Sequence, residues 1–163
     1  MKYLYILRIG TYNHGMDALL QNRTIIAALS AMLAAQLFKI IFNLIFTGRL
    51  ELRSGIGTGG MPSSHAATVS AVTVSVGLLE GVGSVIFALT LVLSIIVIFD
   101  AVGIRRAAGK HAELLNEWSK ILSEIYEHGF KPEDLRTLLG HTYPQVAAGV
   151  VLGTAIGFLV HMY

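Results

Sequence analysis

The chain has 163 residues, of which 54% are hydrophobic and only 13% charged, where a soluble domain of this size carries about a quarter charged residues. With a mean hydropathy of +0.67 and a pI near 9.0, it reads as a membrane chain whose few, scattered basic residues exclude a nucleic-acid-binding stripe. It contains no cysteine, which excludes disulfides, thiolate nucleophiles and zinc–thiolate sites and is silent on redox compartment.

The expectation is one all-α membrane domain over residues 1–163: a polytopic helical bundle of about four spans, with an amphipathic helical insertion between the last two. Residues 1–23 hold Lys2, Arg8 and three tyrosines, Tyr3, Tyr5 and Tyr12. No small-residue cleavage site follows them, so this stretch reads as an interfacial segment rather than a cleaved signal. The first predicted span, Thr24–Thr47, is interrupted by Gln36, Lys39 and Asn43. Lys39 either snorkels to the helix end or faces the bundle interior as a phosphate contact, and the second reading is preferred.

A glycine-rich loop, Gly48–Gly60, carries Arg49, Glu51 and Arg53. Beyond it, Ala66 to Phe99 is too long and too apolar for one helix, and Glu80 among Gly77, Gly81 and Gly83 marks a hairpin turn. The outgoing arm, Ala66–Leu79, offers roughly 21 Å of helix, short for a full crossing, so its start lies inside the membrane boundary. The return arm, Ser84–Ile104, is long enough to span. The last predicted span is Pro144–Tyr163.

Residues 105–140 form the insertion, expected to face water. In it Leu114, Leu115, Trp118, Ile121, Leu122, Ile125 and Tyr126 share one helical face, opposite Glu113, Glu117, Lys120, Glu124 and Glu127. Gly129 closes this helix and Pro132-Glu133-Asp134 starts a shorter one. The amphipathic helix rests either on the membrane surface or over the mouth of the bundle, with a partner-binding role second. Small residues at four-residue spacing (Ala27, Ala31, Ala35; Ala67, Ala71, Ser75; Gly149, Gly153, Gly157) are packing stripes without chemistry.

The hairpin returns the chain to the side it left, so the Gly48–His65 loop and the Asp100–Tyr143 segment share a membrane face. Three constellations lie there. In Gly59-Gly60-Met61-Pro62-Ser63-Ser64-His65, Pro62 suits a first helical turn, Ser63 or Ser64 can cap it, and the open amides attract an anion. His65 in that first turn can donate a proton or be incidental, with equal weight. His141, just before the last span, is by itself no more than an interfacial histidine. Asp100, Arg105 and Arg106 stand where an apolar helix emerges, and guanidinium suits forked contact with phosphate oxygens.

Taken together, Pro62-Ser63-Ser64-His65, the His141–Gly153 segment and Phe99-Asp100-Ala101-Val102-Gly103-Ile104-Arg105-Arg106 resemble the type 2 phosphatidic acid phosphatases, relatives of the vanadium haloperoxidases, and more narrowly a divergent branch of that superfamily. The resemblance implies a lipid-phosphate phosphatase, a metal-independent phosphoric ester hydrolase with no cofactor. It implies His141 as the nucleophile that becomes phosphohistidine and His65 as the acid–base group. Lys39, Arg49, Ser64, Arg105 and Arg106 are then candidates for the phosphate clamp.

The chain departs from the family pattern at three places. Gln145 stands where an aspartate should orient the nucleophile, the lysine of the first motif is not followed by Arg-Pro, and the insertion separates Arg106 from His141. Asp100 is the expected replacement for the lost carboxylate. His111 competes with His141 by its spacing from Arg105, but it falls on the apolar face with Leu114, Leu115 and Trp118, and His141 is preferred. The expected partners are a lipid phosphate substrate and the bilayer, in a cell (plasma or inner) membrane, with no nucleic acid. The excess of Lys and Arg on the site side places that side in the cytoplasm by the positive-inside tendency. The alternative is an inactive descendant of the fold that binds a phosphate-bearing lipid or a protein partner; a small transporter subunit is third.

Overall fold

The computed structural model describes residues 17–50, 52, 55, 60–125, 134, 135, 137 and 140–162. The described residues form helices and no strand: α1 (Arg23–Thr47), α2 (Ser64–Glu80), α3 (Val85–Val102), α4 (Ile104–Ile125) and α5 (Tyr143–Met162). The expected interfacial segment around Tyr3, Tyr5 and Tyr12, most of the Gly48–Gly60 loop with Glu51 and Arg53, and the short helix from Pro132 lie outside the described residues.

Each helix boundary has a local cause. Asn22 caps α1 by accepting the amides of Thr24 and Ile25, and Gly48 ends it in the left-handed conformation. Ser63 caps α2 by accepting the Ala66 amide, and Ser84 caps α3 through the Phe87 amide. Pro62 therefore precedes the cap instead of filling the first turn, because the Ser63 hydroxyl fixes the helix start one residue later.

α4 follows α3 directly, across a turn at Gly103. The Gly103 amide bonds to the Phe99 carbonyl at 2.8 Å, and the Ala107 amide to the Gly103 carbonyl at 2.9 Å. Three stretches are long and apolar enough to cross a bilayer: α1, the α3–α4 run and α5. At 17 residues, α2 is the short arm that the sequence indicates.

That short arm is the centre of the bundle. α2 packs against α1, α3 and α5, and α1 also packs against α5. Among the described residues α1 and α3 do not meet, and α4 touches no helix but α3. The core is made of small side chains: Ala27, Ala31 and Ala35 from α1 and Ala67 and Ala71 from α2, against Leu152, Ile156 and Val160 of α5. Bulky residues such as Leu29, Leu33 and Leu37 point outward.

This inversion of a soluble core is what lipid demands. Apolar side chains gain nothing by leaving an apolar solvent, so close backbone approach and hydrogen bonds hold the helices. A methyl group at Gly153 would strike the Ala67 carbonyl, and one at Gly149 the Ser63 carbonyl. Polar ties add to the contact. Thr24 Oγ1 and Ser75 Oγ lie 2.9 Å apart, and Ser75 Oγ lies 2.8 Å from His161 Nε2, linking α1, α2 and α5. Thr73 and Ser94 hydroxyls meet at 2.7 Å between α2 and α3.

Candidate functional site

At one end of the bundle the start of α2, the end of α3 and the approach to α5 are joined through their main chains. The Ser63 amide donates to the Gln145 carbonyl at 2.9 Å, and the His141 amide to the Ala101 carbonyl at 2.9 Å. Gly140 allows the approach to α5 twice over. Its φ is 86°, and a side chain there would collide with the backbone of Arg106.

These ties bring two imidazoles together. The rings of His65 and His141 have centroids 6.2 Å apart and planes inclined by 59°. His141 is 5% exposed, whereas His65 is open to its surroundings. Both line a cavity of about 430 Å3, together with Lys39 and Gln36 of α1, Ser64 and Thr68 of α2, and an apolar part made by Met32, Val69 and Val97. Because α2 forms the floor and α1 and α3 the two sides, the cavity is a groove whose walls are tied to each other only through other helices.

Lys39 is 4% exposed, so it does not snorkel to the helix end. Its Nζ lies 3.5 Å from Ser64 Oγ, in the first turn of α2, where the amides of Ser64 and His65 carry the positive end of the helix dipole. An ammonium group and a helix N-terminus at one cavity end form an electropositive pocket that fits an anion.

The partner of His141 is Gln145. Its Oε1 accepts the Thr142 amide at 3.0 Å and lies 3.3 Å from His141 Nδ1. The Thr142 amide is a donor, which fixes the amide oxygen, not the nitrogen, at this point. Nδ1 of His141 must then carry the proton for the contact to be favourable, leaving Nε2 with its lone pair. The same contact is half of a capping box, Thr142-Tyr143-Pro144-Gln145, at the start of α5. The His141 ring is held below the ordinary imidazole pKa, chiefly by burial. The hydrogen bond from Gln145 opposes this, and the positive fields of Lys39, His65 and Arg105 add to it.

Asp100, the expected replacement for the lost carboxylate, is engaged with an arginine. Its Oδ2 accepts from Arg105 Nε at 2.6 Å. Residues five apart do not face each other on a regular helix; the break at Gly103 turns Arg105 back onto Asp100. The contact uses Nε and leaves the two terminal amino groups of Arg105 unconsumed by it.

The other candidates are spread out. Arg106 lines a separate depression with Val102, Ala107 and Lys110. Arg49 is exposed just beyond α1, its backbone bonded to Thr47 Oγ1. His111 lies with Leu114, Leu115 and Trp118, away from the groove. Gln36 and Thr68 are lining residues that motif reasoning passed over, although Gln36 shares the helix face of Lys39 one turn away. Among the described residues no group of three His, Asp or Glu side chains converges as a metal site.

Residues 20–156 match the family described as the Divergent PAP2 family. The chain belongs to that family. It is also 33% identical over 144 residues to the uncharacterized membrane protein YuiD of Bacillus subtilis (strain 168), a match covering 83% of this chain and 91% of the relative. No solved structure matches. Family membership, the membrane relative and three membrane-competent stretches make this a PAP2-like integral membrane protein.

Proposed function

We propose that the protein is a phosphatase for a lipid phosphomonoester or diphosphate, working through a phosphohistidine on His141. The single observation that carries this reading is the pair of imidazoles at 6.2 Å over a groove that is cationic at one end and apolar along its length.

The chemistry follows from the two environments. Burial makes a charged His141 costly, so it enters the reaction neutral, with Nε2 as the nucleophilic atom. His65, the more exposed ring, enters as the proton donor. As Nε2 forms its bond to phosphorus, the P–O bond to the lipid breaks and His65 delivers its proton to the departing oxygen. Neutral His65 then takes a proton from water, whose oxygen bonds phosphorus as the N–P bond breaks and phosphate leaves. Charge on the equatorial oxygens is met by Lys39, the first-turn amides of α2 and the terminal amino groups of Arg105.

A lipid tail fits the groove wall of Met32, Val69 and Val97, and the sides formed by α1 and α3 leave room for it to remain in the bilayer. Gln145 favours a second reading, a fold that binds phosphate-bearing lipid without turnover, because an amide cannot stabilise the imidazolium as a carboxylate does.

Purified protein in mixed micelles, given a panel of lipid phosphates, separates the two. The phosphatase reading expects phosphate release, an acid-labile phosphoenzyme, and loss of both in His141→Ala. Lipid phosphate binding without release by wild-type protein would establish the second reading instead.

A further inference from the structure

α4 has three faces, not two. Gly109 and Ala112 are buried, and Asn116, Ser119 and Ser123 half-buried, along one stripe. On this stripe Asn116 clamps Leu135, donating to its carbonyl and accepting its amide, each at 2.9 Å. Lys110, Glu113, Glu117, Lys120 and Glu124 form an exposed second stripe. Leu114, Leu115, Trp118, Ile121, Leu122 and Ile125 form a third, and all are exposed, Trp118 by 68%. At 3.6 residues per turn the three stripes lie roughly 120° apart.

A helix resting on a protein in water needs an apolar face inward and a polar face outward. Here the small and polar residues face the protein and the bulky apolar ones face away. α1 shows the same arrangement, with Ala27, Ala31 and Ala35 inside and Leu29, Leu33 and Leu37 outside. The apolar stripe of α4 also adjoins the membrane surface of the bundle: exposed Phe99 at the end of α3 and Ile104 at the start of α4 lead into it across the turn at Gly103.

We propose that α4 is a bilayer-docked helix, its protein face clamped on Leu135, its charged face in water among the headgroups and its apolar face on acyl chains of the leaflet that holds the site. Depth in the boundary is about 5–10 Å, as for interfacial helices generally. The inference is independent of catalysis. It assigns the apolar stripe to lipid and not to a second copy of the chain or a soluble partner.

Trp118 is the single tryptophan of the protein, so the wild-type chain reports on this face without alteration. The protein is reconstituted into phosphatidylcholine–phosphatidylglycerol vesicles, with or without phosphatidylcholine brominated in its acyl chains, and titrated with aqueous iodide. The expected result is a blue-shifted emission, most of it lost to the brominated lipid and little to iodide. Strong quenching by iodide with none by the brominated lipid would place the face in water and overturn the proposal. Protection from both quenchers would mean that protein covers it, and would overturn it equally.

Discussion

The amide of Gln145 is where a sequence comparison looks worst and the atoms look most purposeful. It accepts from the Thr142 backbone and thereby presents the same oxygen to His141 Nδ1. Replacing it with alanine removes the acceptor that selects the tautomer, so Gln145→Ala should lower kcat about 10- to 100-fold, as loss of such orienting partners does elsewhere. Gln145→Asp keeps the acceptor and adds charge. It should raise the pKa of His141. Because the proposed nucleophile must be neutral, activity would be lost as pH falls through that pKa, so the acid limb of the kcat/KM profile should move to higher pH in Gln145→Asp. In the wild type the depressed pKa of buried His141 keeps that limb below the ordinary imidazole range. Asp100→Asn loosens Arg105 and, on the proposed reading, should raise KM for the lipid phosphate more than it lowers kcat, since the ion pair would position a member of the phosphate clamp. The site was half legible in the sequence. His65, Ser64 and Lys39 could be grouped because motif and burial cost point the same way, whereas the pairing of Asp100 with Arg105 was not legible because a turn at Gly103 is invisible to helical spacing.

Helix contact in this protein is decided by what is missing from α5. Gly153→Ala adds a methyl against the Ala67 carbonyl, backbone that cannot rotate away, so α2 and α5 must separate. The expected cost is about 1–3 kcal/mol, seen as a lower midpoint of denaturant-induced unfolding in detergent, while Gly83→Ala, at a position open to solvent space, should leave the midpoint near wild type. Ser75→Ala breaks both bonds of the Thr24–Ser75–His161 chain and should cost about 1 kcal/mol, at roughly 0.6 kcal/mol for each such bond between membrane helices. The sequence was most informative at this scale. Span positions, the short second arm and the glycine and alanine stripes all follow from hydropathy and spacing, because lipid imposes a single rule on every exposed position. The central position of α2 was not foreseeable, since hydropathy ranks helices by length and α2 is the shortest.

For the whole molecule, on the proposed phosphatase reading, a groove floored by α2 and bordered by α1 and α3 would select substrates by their tails as well as their phosphates. Each buried methylene contributes about 0.8 kcal/mol, so a lipid phosphate should exceed its water-soluble headgroup fragment in kcat/KM by about tenfold or more, measured by phosphate release at subsaturating concentration. The parts of the site, although far apart in the chain, are stitched by bonds that no side chain makes: Ser63 amide to Gln145 carbonyl, His141 amide to Ala101 carbonyl. Such seams ignore which residues they join. The scaffold can therefore hold its pocket open while the letters around it change, so that members of one lineage can keep a common shape and differ in whether they turn anything over.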